Sequence, residues 1–305
     1  MIDRPDFSRI KQEINLTQYA ACLGYKIDRK KSTRSSIVMR QDNADKIIIS
    51  KRRGIWVYFS VYDDQDNGTV IDFAKNRTGK SLSEVGEALH LWFGDHTGLP
   101  EPESYIRHIE EQKPDPERIN RLFGFCRRAT NHAYLESRGI TEAVLRSPRF
   151  EGRVFQDHFN NAVFPHFREG HICGLELRNE GTGLFVRGSE KTLWRSNIRT
   201  GDNHLIIAET PIDAISYHIL FSLSRAFYIA TGGGFSTRQG SIINKLLCQC
   251  PQFQQITLIT DNDQGGNLLA RRLNTLINDT AYGGEITRHS PAICGQDWND
   301  VLREI

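Results

Sequence analysis

The pattern of apolar and polar positions changes near residue 204. Upstream, residues 7–23 space their apolar side chains as one helical face, and short β-rich runs follow. Downstream, continuous apolar runs alternate with helical segments, as expected of buried parallel strands joined by helices. The runs that predict strands lie at 205–208, 226–230, 256–260 and 284–288. The pattern therefore predicts an α/β fold whose C-terminal part is a four-stranded parallel sheet flanked by helices.

Gly and Pro residues divide the chain further. Residues 96–117 hold several of them among charged residues, which predicts a linker. We expect a small N-terminal α+β domain at 1–95, a mixed α+β subdomain at 118–200 and the parallel-sheet domain at 201–305.

Composition excludes some classes of protein. The 305 residues are 38% hydrophobic and 25% charged, which is typical of a globular protein. No apolar run is long enough to predict a membrane span or a signal peptide, so we expect a cytoplasmic protein with no membrane partner. None of the six cysteines forms a C-x-x-C pair, so no zinc is expected.

Positive charge is concentrated at the N-terminus. Residues 1–60 carry thirteen Lys or Arg and six Asp or Glu, although the whole chain has a net charge of only +2. A basic segment beside Trp56 and Tyr58 indicates contact with a nucleic-acid strand, with base stacking on the aromatic rings. A solvated basic face without a ligand is the alternative. The residues predicted to contact nucleic acid are Lys30, Lys31, Arg34, Arg52 and Arg53, joined further along by Arg127, Arg128 and Arg138.

Acidic residues follow the predicted parallel strands. Glu209 comes directly after the first strand, with Asp213 one helical turn later, and Asp261 and Asp263 follow the third. Asp297 lies in the loop after the fourth. Ligands bind at the carboxyl ends of the strands in such sheets, and clustered carboxylates repel unless a cation neutralises them. Oxygen ligands favour Mg²⁺ or Mn²⁺. The sequence therefore predicts a divalent-metal site there.

The spacing Glu209-x-x-x-Asp213, followed by Asp261-x-Asp263-x-x-Gly266, resembles the Toprim signature of DnaG-type primases, topoisomerases and some nucleases. Thr210 stands where the family usually has glycine. The resemblance implies catalytic roles for Glu209, Asp213, Asp261 and Asp263. It also implies metal ligation by Glu209, Asp261 and Asp263, with Asp297 at a position where primases carry a further acidic residue.

Upstream segments extend the likeness. Residues 134–140 and 161–178 resemble elements of the DnaG-type catalytic core, and 55–90 resembles a primase zinc-binding domain without its cysteines. Stand-alone Toprim proteins of plasmids and mobile elements are also similar.

These resemblances imply primase-like nucleotidyl transfer, with single-stranded DNA and nucleoside triphosphates as ligands and replication or mobile-element proteins as candidate partners. A nuclease or nickase acting on DNA or RNA, and a non-catalytic nucleic-acid-binding module, remain alternatives.

Overall fold

A computed structural model describes residues 6–42, 45–63, 66–94, 109 and 113–305. The chain divides into two compact units, Met1–Gln112 and Lys113–Ile305. Most of the predicted linker, 96–117, lies outside the described residues, and the finer domain boundaries stay predictions. No helix in the described part of the chain combines the length and apolar character needed to cross a bilayer.

The N-terminal unit is built on an antiparallel sheet of five strands in the order β1-β2-β3-β4-β5. Two helices precede the sheet and two follow it. In chain order the elements are α1 (Phe7–Glu13), α2 (Leu16–Cys22), β1 (Lys26–Ile27), β2 (Ser36–Gln41), β3 (Asp45–Arg52), β4 (Ile55–Ser60), β5 (Asn67–Gly68), α3 (Val70–Thr78) and α4 (Leu82–Gly94).

The core of this unit corrects one sequence interpretation. Trp56 and Tyr58 are 6% and 1% exposed and pack in the core, so their rings do not offer a stacking surface for bases. Polar side chains lie beside this core. The Arg77 guanidinium is 2.6 Å from the carboxylates of both Asp45 and Asp66, and it lies over the Phe73 ring at 4.9 Å. This ion-pair cluster links β3, the segment before β5, and α3.

The second unit begins with a five-stranded antiparallel sheet in the order β10-β9-β8-β7-β6. One face packs on α5 through Ile119, Val163 and Leu175. Its elements are α5 (Pro116–Phe123), β6 (Arg127–Arg128), α6 (Ala133–Ser137), α7 (Glu142–Leu145), β7 (Phe155–Gln156), β8 (Ala162–Arg168), β9 (His171–Asn179) and β10 (Thr182–Phe185).

The C-terminal sheet contains the four predicted parallel strands in the order β13-β12-β14-β15, with one addition. A short strand, β11, runs antiparallel along the outer edge of β13. The elements are β11 (Trp194–Arg195), β12 (His204–Ala208), α8 (Pro211–Phe221), β13 (Ala226–Ala230), α9 (Thr237–Gln249), β14 (Gln255–Ile259), α10 (Gln264–Asn278), β15 (Glu285–Arg288) and α11 (Trp298–Arg303).

Apolar residues cover both faces of the parallel sheet. Ile206, Ala208 and Tyr228 face a core shared with the preceding subdomain, which includes Phe150 and Phe164. Alternate residues of the same strands face a second core under α9 and α10. Burial on both faces explains why these strands read as continuous apolar runs.

Candidate functional site

The acidic residues lie where two neighbouring parallel strands end. Ala208 of β12 is directly opposite Ile259 of β14, so Glu209 and the segment beginning at Thr260 leave the sheet side by side. The carbonyl of Glu209 accepts hydrogen bonds from the amides of Gly232 and Gly233 at 2.8 and 3.0 Å. The loop after β13 therefore fixes the backbone of Glu209.

Asp213 is buried at the start of α8. Thr210 is the N-cap of this helix, and its hydroxyl accepts from the Asp213 amide and donates to Asp213 Oδ2. The residue is 2% exposed, and Oδ1 of its carboxylate has no hydrogen-bond partner among the described residues. A buried carboxylate oxygen without a donor is costly unless a cation or a proton meets it.

The segment Asp261–Asp263 forms a tight entry to α10. Asp263 caps the helix by accepting from the Gly266 amide at 2.7 Å, and Asp261 Oδ1 is buried without a partner in the described structure. A Cβ atom at position 266 would lie 2.1 Å from the Asp261 carbonyl oxygen, so only glycine fits there. Glycine thus allows the helix to begin against the backbone of Asp261.

Backbone hydrogen bonds bring Asp297 to the same edge. The Asn262 amide donates to the Gln296 carbonyl at 3.1 Å, and the Gly295 amide donates to the Asn262 carbonyl at 2.7 Å. Asp297 then caps α11 by accepting from the Asp300 amide at 2.7 Å. The loop after β15 is therefore tied to the Asp261–Asp263 segment.

The carboxylates are close enough to repel one another. Burial raises the pKa of Asp261, and the negative charges of Asp213 and Glu209 raise it further. Burial, followed by the charge of Asp297, raises the pKa of Asp213. The pKa of Glu209 is raised by burial and then by Asp263. These mutual effects are those expected of five carboxyl groups within electrostatic range of one another at this edge of the sheet.

The cluster fits a hard divalent cation in its chemistry. Its donors are carboxylate oxygens, and two of them, on Asp213 and Asp261, are buried without partners in the described structure. Across the ranges that the structure describes, however, no three His, Cys, Asp or Glu side chains already surround a common metal position. Binding would therefore require side-chain rotation, for which the capping Asp263 and Asp297 each keep a second oxygen.

Cationic side chains border the cluster on the side of β9. Lys191 lies near Glu209 and Glu176. Burial lowers the pKa of Lys191 to about 8, although the negative charges of the two carboxylates act to raise it. Glu176 is 1% exposed and pairs with Arg178 at 2.6 Å. Gly232 separates this group from the acidic site, with a φ of +70°, and a Cβ there would lie 2.9 Å from Glu176 Oε2.

Comparison with protein families identifies the C-terminal region. Residues 206–302 match the family profile described as Toprim-like. The C-terminal region is a Toprim-like domain. Residues 133–203, directly upstream, match a family described as a protein of unknown function (DUF3991). A search of curated proteins finds no match.

Solved primase structures are similar to the chain at low sequence identity. A primase domain from Pseudomonas aeruginosa is 16% identical over 50% of this chain and 52% of its own, with a TM-score of 0.36. The chain thus spans about half of that domain. The zinc-binding and RNA polymerase domains of Aquifex aeolicus primase are 14% identical over 98% and 82%, with a TM-score of 0.39. The primase fragment of the bacteriophage T7 primase-helicase is 17% identical over 58% and 70%, with a TM-score of 0.38.

The predicted site residues fall into two groups. The first group lies at the carboxyl edge of the parallel sheet in the Toprim-like domain and comprises Glu209, Asp213, Asp261, Asp263 and Asp297. Arg138, the residue directly after α6, joins them, because it interacts electrostatically with Asp297 while lying over the Tyr134 ring at 5.7 Å. Sequence reasoning missed Glu176, Arg178 and Lys191.

The remaining basic residues lie on exposed segments. Arg127 and Arg128 form β6, where Arg128 pairs with Glu151 at 2.9 Å. The N-terminal unit carries the other five, in the segment between β1 and β2, at the end of β3 and in the turn after it: Lys30, Lys31, Arg34, Arg52 and Arg53. Their contact with nucleic acid stays a prediction.

Proposed function

We propose that the protein is a Mg²⁺- or Mn²⁺-dependent nucleotidyltransferase that synthesises primers on a single-stranded DNA template. The observation that carries the proposal is the cluster of five carboxylates at the carboxyl edge of the parallel sheet. The unpaired buried oxygens of Asp213 and Asp261 distinguish it from an ordinary acidic surface, because such atoms rarely remain without a donor.

In the proposed site, Glu209, Asp261, Asp263 and Asp297 hold the metal. A divalent cation bound there supplies charge stabilisation for the attacking 3′ oxygen and for the departing pyrophosphate. Asp213 supports this arrangement from α8, where its hydrogen bond with Thr210 fixes one carboxylate oxygen and the other has no partner among the described residues.

Cationic residues beside Glu209 support a phosphate-bearing substrate. Lys191 and Arg178 both contribute positive charge at Glu209, and Arg138 does so at Asp297. A triphosphate entering the cluster needs cations next to the metal ligands, since its own charge would otherwise add to the repulsion. We also infer a cytoplasmic location, with replication or mobile-element proteins as partners.

Primer synthesis tests this proposal. Full-length protein is incubated with single-stranded DNA, labelled nucleoside triphosphates and Mg²⁺ or Mn²⁺, and products are separated on a gel. We expect oligonucleotide products from the parent protein and a loss of more than about a hundredfold in Asp261→Asn/Asp263→Asn, because the ligand pair loses its charge. Asp279→Asn, which removes an exposed carboxylate at the other end of α10, is the control.

Two outcomes would contradict the proposal. Strand cleavage by the parent protein without nucleoside triphosphates, lost in the double variant, would assign a nuclease. DNA binding without any turnover, unchanged in the double variant, would assign a binding module. Urea unfolding of each variant checks that the substitutions leave the fold intact.

A further inference from the structure

Two arginines of the second unit lie over the same aromatic ring, and neither pairs with a carboxylate among the described residues. The guanidinium carbons of Arg153 and Arg195 are 5.4 and 5.3 Å from the centre of the Phe167 ring. Among the described residues, neither arginine forms an ion pair, whereas Arg168, which follows Phe167 in the sequence, pairs with Glu190 at 2.7 Å. The two positive charges near this ring repel each other, and an anion bound beside the ring would offset that repulsion.

The surrounding structure holds both side chains in position. Arg153 Nε donates to Asn197 Oδ1 at 2.6 Å, and Nδ2 of the same Asn197 side chain donates to the carbonyls of Pro148 and Glu151. The Trp194 indole donates to the Arg153 carbonyl at 2.8 Å. These contacts order the arginine before any ligand arrives, which lowers the entropy cost of binding.

A second observation that indicates an anion site concerns Arg195. It lies on β11, and its Nε is buried with no hydrogen-bond partner among the described residues. A buried donor on a charged group is costly when it stays unpaired. Burial and the nearby charge of Arg195 both lower the pKa of Arg153, which is consistent with an uncompensated positive pair.

The strand register gives the distance of this pair from the acidic cluster. Arg195 is opposite Ile229, and Ile229 is opposite Ile207, two residues before Glu209. With strands about 4.8 Å apart and a rise of about 3.3 Å per residue, the Cα atoms of Arg195 and Glu209 are roughly 12 Å apart. A single nucleic-acid strand bound at the acidic cluster can therefore extend as far as the two arginines.

We propose that Arg153 and Arg195 bind a backbone phosphate of a single-stranded nucleic acid whose neighbouring nucleotides lie at the acidic cluster. This inference rests on the proposed function. Guanidinium groups bind phosphate oxygens through paired hydrogen bonds, and the terminal nitrogens of Arg153 have no partner in the described part of the chain.

The test measures binding of fluorescent oligo-dT to full-length protein by anisotropy, without nucleoside triphosphates, over a series of salt concentrations. We expect Arg153→Ala/Arg195→Ala to weaken binding roughly tenfold to a hundredfold. The slope of log affinity against log salt should fall by about 0.7 for each lost phosphate contact. Arg146→Ala/Arg168→Ala removes the same charge from arginines that are already paired, and it should retain most of the parent affinity.

Equal losses of oligo-dT affinity in the two double variants would overturn the proposal, because the loss would then reflect the reduced net positive charge rather than a specific site. Weakened ATP binding with unchanged oligo-dT binding would also overturn it and assign the pair to a nucleotide. If the alanine variants fold poorly, phenylglyoxal modification of the parent protein decides. Oligo-dT should protect Arg153 and Arg195, and lack of protection contradicts the inference.

Binding is measured separately from synthesis, so the two proposals can fail independently. Loss of oligo-dT binding in a protein that makes no primers would support the phosphate site and reject the proposed reaction. Primer synthesis with normal binding in Arg153→Ala/Arg195→Ala would do the reverse.

Discussion

The close approach of Gly266 to Asp261 predicts opposite effects for two neighbouring glycines. At Gly266, a Cβ would lie 2.1 Å from the Asp261 carbonyl oxygen and 2.7 Å from its amide nitrogen. Both are backbone atoms, so a side-chain rotation cannot relieve the overlap. At Gly265, the nearest atom is Asp263 Oδ1 at 3.4 Å, which is an ordinary contact.

For Gly266→Ala, the Asp261 segment must shift by about 1 Å to restore normal contact distances. Overpacking of this kind costs about 1–3 kcal/mol, partly offset by the better helix propensity of alanine. Gly265→Ala keeps only the favourable effect, of about 0.5–1 kcal/mol. Because both variants gain the helix propensity of alanine, we expect them to differ by the overpacking cost, about 1–3 kcal/mol in the free energy of unfolding.

Urea unfolding of the full chain measures this difference through the midpoint concentration at a constant slope. Metal-dependent activity is measured in parallel, because a shift of about 1 Å in ligand positions can lower a rate about a hundredfold. The reasoning is refuted if Gly266→Ala unfolds at the same urea concentration as Gly265→Ala, or if it keeps full activity.

Two further predictions concern stability elsewhere in the chain. Arg77→Met should lower the free energy of unfolding, measured in urea, by about 2–4 kcal/mol, because two mostly buried carboxylates lose their cation. The control, Arg9→Met, removes an exposed ion pair and should change the free energy of unfolding by less than about 0.5 kcal/mol. Burial lowers the pKa of His218 to about 4 from its ordinary 6.5, so the unfolded chain takes up this proton first as the pH falls. The contribution of neutral His218 to the free energy of unfolding is therefore fully present above pH 6.5. About 2–3 kcal/mol of it is lost as the pH falls to 4. The stability difference between parent and His218→Gln should shrink over that range, and a constant difference would contradict this reasoning.

The C-terminal fold and its acidic edge were predictable because two patterns coincide. Strands buried on both faces must be apolar throughout, as β12 and β13 are, and such strands are readable without knowing their partners. Topology then directs the residues after each strand to one edge. The convergence of Glu209 with Asp261 follows from the parallel pairing of β12 and β14.

The charged residues beside the site, Glu176, Arg178 and Lys191, could not be predicted from the sequence pattern. Glu176 and Arg178 alternate with Leu175 and Leu177 along β9, which normally indicates a solvent-facing side. In the structure, Gly232 of the Toprim-like domain covers Glu176. The covering residue is distant in sequence, so only the tertiary fold reveals that Glu176 is buried.

Two strands had sequence patterns that did not determine their structure, β11 because it is short and β4 because both of its faces are apolar. The two-residue strand β11 is too short to show a period, yet its pairing with β13 positions Arg195. In β4, alternation left open whether Trp56 and Tyr58 or their neighbours face the core. The structure buries the two aromatic residues, and Lys51 Nζ lies 4.5 Å from the centre of the Trp56 ring.

Direct binding of Mn²⁺ to the full chain, followed by the electron paramagnetic resonance signal of the free ion, tests the central claim that the acidic cluster holds a divalent cation. We predict that the parent protein and Asp279→Asn remove Mn²⁺ from solution and that Asp261→Asn/Asp263→Asn does not. Equal binding by all three proteins, or no binding by the parent at millimolar Mn²⁺, would contradict the claim.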